Sequence, residues 1–572
     1  MKQGSLEGWG LPNFLNRMRN MIGKNRFFTA TVCLVVLAAL FGVFLRFTHL
    51  EQKFPTHDEV FTALRVSGYT EAELVQDLSS NVRPVGIEYL QKYQTPNPQK
   101  TIWHTINGLA QEEPQLTPLY FVTVKLWAQL WGGAIGILRS WSALISVFGL
   151  PCIYWLSMEL FKSRLTASLA TVILAITPFY FMASQDARHY SLWTVSILLM
   201  SAALLQAMRI KNQVSWAIYA FSVAFSLYTG LLSIIVAFGH AIYVFSMERF
   251  RFQERFLSYV LASAVGIIAF IPWVAIVFFN WAQLQQMSGQ TDTVKLSLAE
   301  LARGWVRQPG KLLYDPNISA DPSTVEKILQ YSVTVGCLIF VLYTFYFLLQ
   351  TTVQRVWLFI FTLVGTTAFG LVIQDLTLGG HAATGGMSNI PKYLTPCFLG
   401  IVLAIAHLFA YQLTEGSLKQ WQRRIWIGVV AIFISTQLLN TLSLWQAQFT
   451  WLNGHKDEMQ TNLAAFNIIN ETEKPLLLTD SSGWDIMYLS QYLNPNVKIL
   501  TKPTCVSCSV QVDPKDFRPA EDVELSQFSR IFLFPHPSDA AITWAKQQAP
   551  FQIKEVSLMP TSETKLLSLE LP

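Results

Sequence analysis

Asp58 and Glu59 stand side by side in the stretch Phe54-Pro55-Thr56-His57-Asp58-Glu59-Val60-Phe61. This stretch follows the first long apolar run and opens a polar segment of roughly sixty residues before the next membrane-like segment. Two adjacent acids just outside a bilayer are placed to deprotonate a hydroxyl or amide acceptor, or to hold a metal. A structural reading competes with that one. Acids favour helix N-termini, so the pair would also serve to cap a helix starting at Val60-Phe61-Thr62-Ala63. His49, His57 and His104 share the segment, but their spacing defines no ligand set.

Two further clusters lie at the ends of apolar runs. Ser184-Gln185-Asp186-Ala187-Arg188-His189-Tyr190 follows Thr177-Pro178-Phe179-Tyr180-Phe181. Ionisable groups at a membrane boundary are costly unless they face a cavity or one another. An Arg there suits bidentate binding of a lipid phosphate, and a plain Asp186–Arg188 surface pair is the alternative. Lys392 and Tyr393 follow a glycine-containing stretch, His381 to Pro391, and offer a point charge and a hydroxyl donor at headgroup depth. Arg139 at the start of another apolar run is a phosphate candidate of the same kind. For Lys392 and Arg139 the alternative is a snorkelling side chain. There is no Walker loop, no GxGxxG opening a strand–helix unit and no HExxH, so nucleotide-driven or zinc-driven chemistry has no support.

The elements that must position these groups are membrane spans. Of 572 residues 52% are hydrophobic and only 13% charged, with mean hydropathy +0.35. Soluble proteins carry about 25% charged residues, so the composition is that of a polytopic membrane protein. A net charge of +5 held in short loops reports orientation and gives no nucleic-acid signal. Residues 1–27 read as a cytoplasmic, interfacial N-terminus with an amphipathic helix near 11–22. Residues 28–447 form the membrane domain. Its first span is about 28–47, and 48–135 is the first outer loop, with 117–133 a partly embedded helix. Spans follow near 137–160, 165–183, 190–208, 215–228, 231–247, 257–279, 326–350, 355–374, 392–412 and 425–447. With about eleven spans, the clusters Lys162/Arg164, Arg209/Lys211, Arg249/Arg251/Arg255 and Lys419/Arg423/Arg424 all fall inside.

The tail, 448–572, changes character. Residues 475–479, 497–500 and 530–534 read as short buried strands, with helices near 484–492 and 539–548. That predicts a small extracytoplasmic α/β domain with its own core. Its single CxxC, Cys505 and Cys508, suits a local disulfide in an oxidising compartment.

In this order the motifs resemble the GT-C membrane glycosyltransferases, specifically the superfamily of protein O-mannosyltransferases and bacterial aminoarabinose transferases. The matching pieces are His57-Asp58-Glu59, Thr117-Pro118-Leu119-Tyr120-Phe121 with Lys125-Leu126-Trp127, Leu138-Arg139-Ser140, Ser184 through Ser191, and Lys392-Tyr393-Leu394-Thr395-Pro396. The resemblance is concentrated in residues 30–210. It implies transfer of a hexosyl or pentosyl unit from a polyprenyl-phosphate carrier to a protein, lipid or polysaccharide acceptor, on the outer face of the cell membrane. Asp58 would be the base of an inverting displacement, with Glu59 supporting it or a bound cation. Arg188 and Lys392 would neutralise the carrier phosphate, joined by Tyr393 and Arg139, with Tyr120, Asp186 and His189 also near substrate.

The sequence departs from the family pattern in three places. Gln115-Leu116-Thr117 precede Pro118, where an acid or His is usual, which leaves a divalent cation unassigned. Lys392 replaces an Arg, and Asp186 a Glu. A transporter or flippase of a lipid-linked sugar is the alternative. It predicts repeated halves and broken helices at mid-depth, whereas here the polar residues gather on one face. A third reading is a non-catalytic scaffold whose tail binds a partner.

Overall fold

The computed structural model describes residues 26–80, 83–283, 293–314, 323–381, 386–414, 419–449, 456–508, 523–535, 537–547, 552–556, 558 and 566–570. The expected interfacial helix near 11–22 lies outside them. The first helix is α1 (Arg26–Arg46). A long connection then carries α2 (His57–Ser67), α3 (Glu71–Ser80), strand β1 (Val85–Gly86), α4 (Ile87–Gln91), α5 (Ile102–Glu112) and α6 (Pro118–Trp131). The bundle continues with α7 (Ile135–Phe161), α8 (Arg164–Ile176), α9 (Pro178–Ser184), α10 (Tyr190–Ile210), α11 (Gln213–Thr229), α12 (Ser233–Met247) and α13 (Glu254–Phe279). Next come β2 (Thr293–Val294), α14 (Leu298–Leu313), α15 (Thr324–Thr351), α16 (Gln354–Leu378), β3 (Gly380–His381), α17 (Thr395–Thr414) and α18 (Gln420–Gln446).

Helices stand at all eleven positions expected for spans, and α1 itself runs to 21 residues. Among the described residues seven helices are long and apolar enough to cross a membrane: α7, α10, α13, α15, α16, Pro391–Thr414 and α18. The pair α8 and α9, bent by 61°, makes an eighth if it is one span. α11 and α12 have 17 and 15 residues. At 1.5 Å per residue they reach about 23–26 Å, short of a ~30 Å hydrocarbon core.

The bend between α8 and α9 has a local cause. Thr177 precedes Pro178 and adopts extended backbone (φ −70°, ψ 128°), as the proline ring demands of its predecessor. Pro178 sits at the first turn of α9, where its missing N–H is harmless. The carbonyls freed at the end of α8 are taken by Arg46, whose guanidinium donates to Ala175 O (2.5 Å) and Leu174 O (3.1 Å). Gly42 lets α1 come this close, since a Cβ there would lie 2.6 Å from Ala175 O. The break delivers the Ser184–His189 turn to the top of α10.

The C-terminal region holds α19 (Lys456–Glu471), β4 (Pro475–Thr479), α20 (Gly483–Leu489), β5 (Lys498–Thr501), β6 (Arg530–Leu533), α21 (Asp539–Lys546), β7 (Gln552–Val556) and β8 (Leu566–Glu570). Among the described residues the sheet order is β1-β5-β4-β6-β8-β7. β4 pairs in parallel with both β5 and β6, and its Pro-Leu-Leu-Leu-Thr run is buried throughout, as a central parallel strand requires.

One sheet face packs on α21 through Leu476, Leu478, Ile531, Leu533, Ala541 and Ala545. The other does not close on the tail alone. Leu477, Ile499 and Phe532 share a core with Val60, Phe61, Leu64, Leu74 and Leu90 of the first loop. β1 even joins the sheet, Val85 opposite Ile499. The expectation of a tail with its own core is corrected here: the first loop supplies one wall of it.

Candidate functional site

α2 is built to present its first turn. Thr56 is the N-cap, and with Glu59 it forms a full capping box: Glu59 N donates to Thr56 Oγ1 (3.2 Å) and Thr56 N to Glu59 Oε2 (2.9 Å). The helix therefore begins at His57 rather than at Val60. Glu59 does more than cap. Arg139 grips both its oxygens, Nε to Oε1 and Nη2 to Oε2, each at 2.7 Å. Ala187 N donates to Oε1 as well (2.9 Å). Arg139 also donates to the carbonyls of Leu50, Lys53 and Phe54.

Both partners are buried, Arg139 2% and Glu59 1% exposed at the side chain, so neither has an edge left for a ligand. Burial alone pushes the Glu59 carboxyl up, but Arg139 and the two backbone donors hold it below its ordinary value. The phosphate-binding part expected of Arg139 is corrected accordingly: this guanidinium is committed to Glu59 and the chain entering α2.

Asp58 faces the other way. Its side chain is 38% exposed, and its two oxygens meet two different cations. Lys392 Nζ donates to Oδ2 (2.8 Å) and Arg188 Nη2 to Oδ1 (3.3 Å). Burial pushes the Asp58 carboxyl up, yet Lys392 and Arg188 outweigh it and hold the group well below the usual carboxylate range. Arg188 also reaches Thr62 Oγ1, one turn along α2 (3.3 Å), and lies over the rings of Phe61 and Phe121. Its Nε is buried without a partner. An orphaned donor beside an open carboxylate is suited to an incoming anion.

The two cations come from the ends of the most enclosed helices. Arg188 precedes α10, 83% of whose apolar window is buried, and Lys392 opens Pro391–Thr414, at 89%. Lys392 is aimed by its own loop. Asp375, buried near the end of α16, accepts from Met387 N (2.6 Å) and Ser388 N (2.9 Å). From α14, Trp305 Nε1 donates to Ser388 Oγ (2.7 Å) and Gln308 Nε2 to Asn389 O (2.9 Å). A Cβ on Gly386 would overlap the Asp375 carboxylate. Asp375 belongs to none of the sequence motifs, although a lone acid in an apolar span is itself a signal.

Around this centre lies a second ring of charge. Asp186 is 1% exposed at the side chain and 3.7 Å from Lys392, and burial beside Glu59 and Asp58 pushes it up to about 7 in spite of Lys392. His189, buried next to Arg188, is pushed down to about 3 and stays neutral. Tyr120 is fully buried and shares a hydrogen bond with Ser142 (2.8 Å), which leaves it supporting the Arg188 turn. Tyr393 is half-buried in the field of Asp58, Lys392 and Arg188.

Arg65, invisible as a motif, pairs with Glu112 (2.6 Å) and Glu113 (3.6 Å). Burial pushes Glu113 up to about 7 against the pull of Arg65 and Arg188. Lys53 is a further buried amine without a hydrogen-bond partner, over the Phe181 ring, and burial beside Arg139 pushes it down to about 7.

The three histidines of the first loop stay apart. His49 stacks on Trp445, His57 on Tyr488, and His104 caps its own helix through Thr101. Among the described residues, one group of His, Cys, Asp and Glu has metal-ligand spacing, Glu71 with Cys505 and Cys508, and there the sulfurs are joined to each other. At Asp58 each carboxylate oxygen is paired with a cation of the chain itself, Lys392 or Arg188.

What the arrangement offers is an open, ionised carboxylate with a buried guanidinium and a half-buried amine converging on it. No protein-family model matches the chain, and no curated protein matches it. Among solved structures it is similar to ArnT from Cupriavidus metallidurans bound to undecaprenyl phosphate, at 13% identity over 95% of this chain and 98% of that one, TM-score 0.49. It is similar to the archaeal oligosaccharyltransferase AglB from Archaeoglobus fulgidus in complex with an inhibitory peptide and a dolichol-phosphate, at 12% identity over 82% and 64% of the two chains, TM-score 0.45. It is also similar to the arabinosyltransferase EmbB from Mycobacterium smegmatis, at 13% identity over 72% and 40%, TM-score 0.31.

Proposed function

We propose that this chain is a membrane glycosyltransferase that moves a sugar from a polyprenyl-phosphate carrier to a hydroxyl or amide acceptor on the extracytoplasmic face. The observation that carries the reading is the convergence on Asp58, with a half-open carboxylate between Lys392 and Arg188. Asp58 takes the acceptor proton as the acceptor atom attacks the anomeric carbon. The bond from that carbon to the phosphate oxygen breaks, and the carrier leaves as polyprenyl phosphate. Displacement in one step inverts the configuration. Lys392 and Arg188 stabilise the charge gathering on the leaving phosphate, with the free Nε of Arg188 as the donor in waiting.

The same cations give the site an order of events. Without donor they quench Asp58; a bound phosphate draws them off, and the base strengthens when there is a sugar to transfer. The test is release of labelled sugar from a polyprenyl-phosphate donor with a membrane extract as acceptor. Asp58→Asn should abolish turnover while carrier binding survives. Equal turnover in both proteins would remove Asp58 from the chemistry. Carrier movement across vesicles without turnover would favour a flippase.

A further inference from the structure

The Cys505–Cys508 loop is chemistry that the glycosyl-transfer site does not use. Glu71, fully buried at the start of α3, accepts from Val506 N (2.9 Å), Ser507 N (2.6 Å) and Ser507 Oγ. Gln283, after α13, donates to Ser507 O from the opposite side (2.7 Å). The two sulfurs and a Glu71 carboxylate oxygen all lie within 4.8 Å of one another. Cys505 is half-buried whereas Cys508 is 5% exposed.

A CxxC loop closed by a disulfide keeps two successive N–H groups pointing at one acceptor, which is a preorganised nest. From Glu71 the grip passes inward. Its own N–H and that of Ala72 donate to Glu112 (both 2.8 Å), which pairs with Arg65 on α2.

We propose that the Cys505–Cys508 disulfide is a thiol-exchange site, opened by a dithiol reductant, whose reduction releases Glu71 and with it the α3 end of the first loop from the C-terminal sheet. A reductant thiolate attacks the Cys505 sulfur, forming a mixed disulfide as the bond to Cys508 breaks. Cys508 leaves as the thiolate and takes up a proton beside Glu71. The second reductant thiol then displaces Cys505. The protein gains two thiols, and the dithiol is oxidised to its disulfide. With the loop open, the two N–H groups no longer converge, and a buried carboxylate loses donors that it cannot replace from water.

The inference does not rest on the glycosyl-transfer reading. The test treats the full-length protein in detergent with dithiothreitol, labels thiols with a maleimide, and follows amide hydrogen exchange. Cys505 and Cys508 should label while buried Cys397 does not, and exchange across residues 71–78 should rise at least tenfold. The double variant C505S/C508S and the single variant E71A should reproduce that rise without reductant. Labelling only when Cys397 also labels would mean that the disulfide opens by unfolding alone, and would overturn the proposal. So would unchanged exchange across residues 71–78 after reduction, or in E71A.

Discussion

Replacing Arg139 with Met tests whether the Glu59–Arg139 pair is what holds α2 in place. Arg139 makes five hydrogen bonds, two to Glu59 and three to the carbonyls of Leu50, Lys53 and Phe54. Met keeps most of the volume and deletes all five. The dominant loss is electrostatic, because Glu59, 1% exposed, would keep its charge with only backbone donors for company. Removing one partner of a buried ion pair costs about 3–5 kcal/mol, mainly through the charge left behind. Adding E59Q neutralises that charge, so the R139M/E59Q double variant should recover about half of the loss. Unfolding of the purified protein in detergent micelles, followed by tryptophan fluorescence as the SDS fraction rises, measures all three. A cost below about 1 kcal/mol for R139M would refute the reasoning. So would additivity of the two single variants within about 0.5 kcal/mol, since groups in contact must couple.

Lys392→Met should weaken binding of a polyprenyl phosphate by about 10–100-fold in a direct binding assay, the worth of about 1.5–3 kcal/mol for a charged hydrogen bond. Lys392→Arg should retain part of that affinity. Gly386→Ala forces a methyl into the Asp375 carboxylate, and should cost about 1–3 kcal/mol in the same unfolding assay while lowering carrier affinity through the displaced Lys392 loop. Glu113, raised to about 7 by burial, binds more protons folded than unfolded. Stability relative to E113Q should therefore fall as pH climbs from about 4.5 to about 7 and level off above that. A wild-type-minus-E113Q difference that is flat across that window would contradict the assignment.

Asp58, Arg188 and Lys392 are legible in the sequence because each is a charge at the end of an apolar run, where burial needs a reason. They converge across 130 and 334 residues of chain, a distance that spacing alone does not encode. Arg139 carries the same signal and is a holder. A snorkelling Arg, a phosphate Arg and a carboxylate-bound Arg look alike until the partner is known. The acidic pair divides between its two readings, Glu59 capping α2 while Asp58 stays open. The tail's strands at 475–479 and 530–533 show as apolar runs between turn residues, since a doubly covered strand must be apolar throughout. What covers them is not legible. Apolar positions such as Leu64 and Leu74 state only that they need a partner, and the sheet that provides it lies some 400 residues further along. The short helix α12 has the composition of a span and lacks only the length.

β1 pairs Val85 with Ile499 and Gly86 with Lys498, and this shapes how the protein is made. A ribosome adding roughly 5–20 residues per second needs on the order of 20–80 s to travel between those partners. For most of that interval the first loop is already outside the ribosome, with Val60, Phe61 and Leu64 of α2 lacking the wall that Phe466, Leu477 and Ile499 will form. The helix bearing Asp58 is thus synthesised well before the sheet that completes its packing. A nascent or prematurely stopped chain can insert its spans, yet it exposes the back of the helix that bears Asp58 as an apolar surface for folding factors and proteases to recognise.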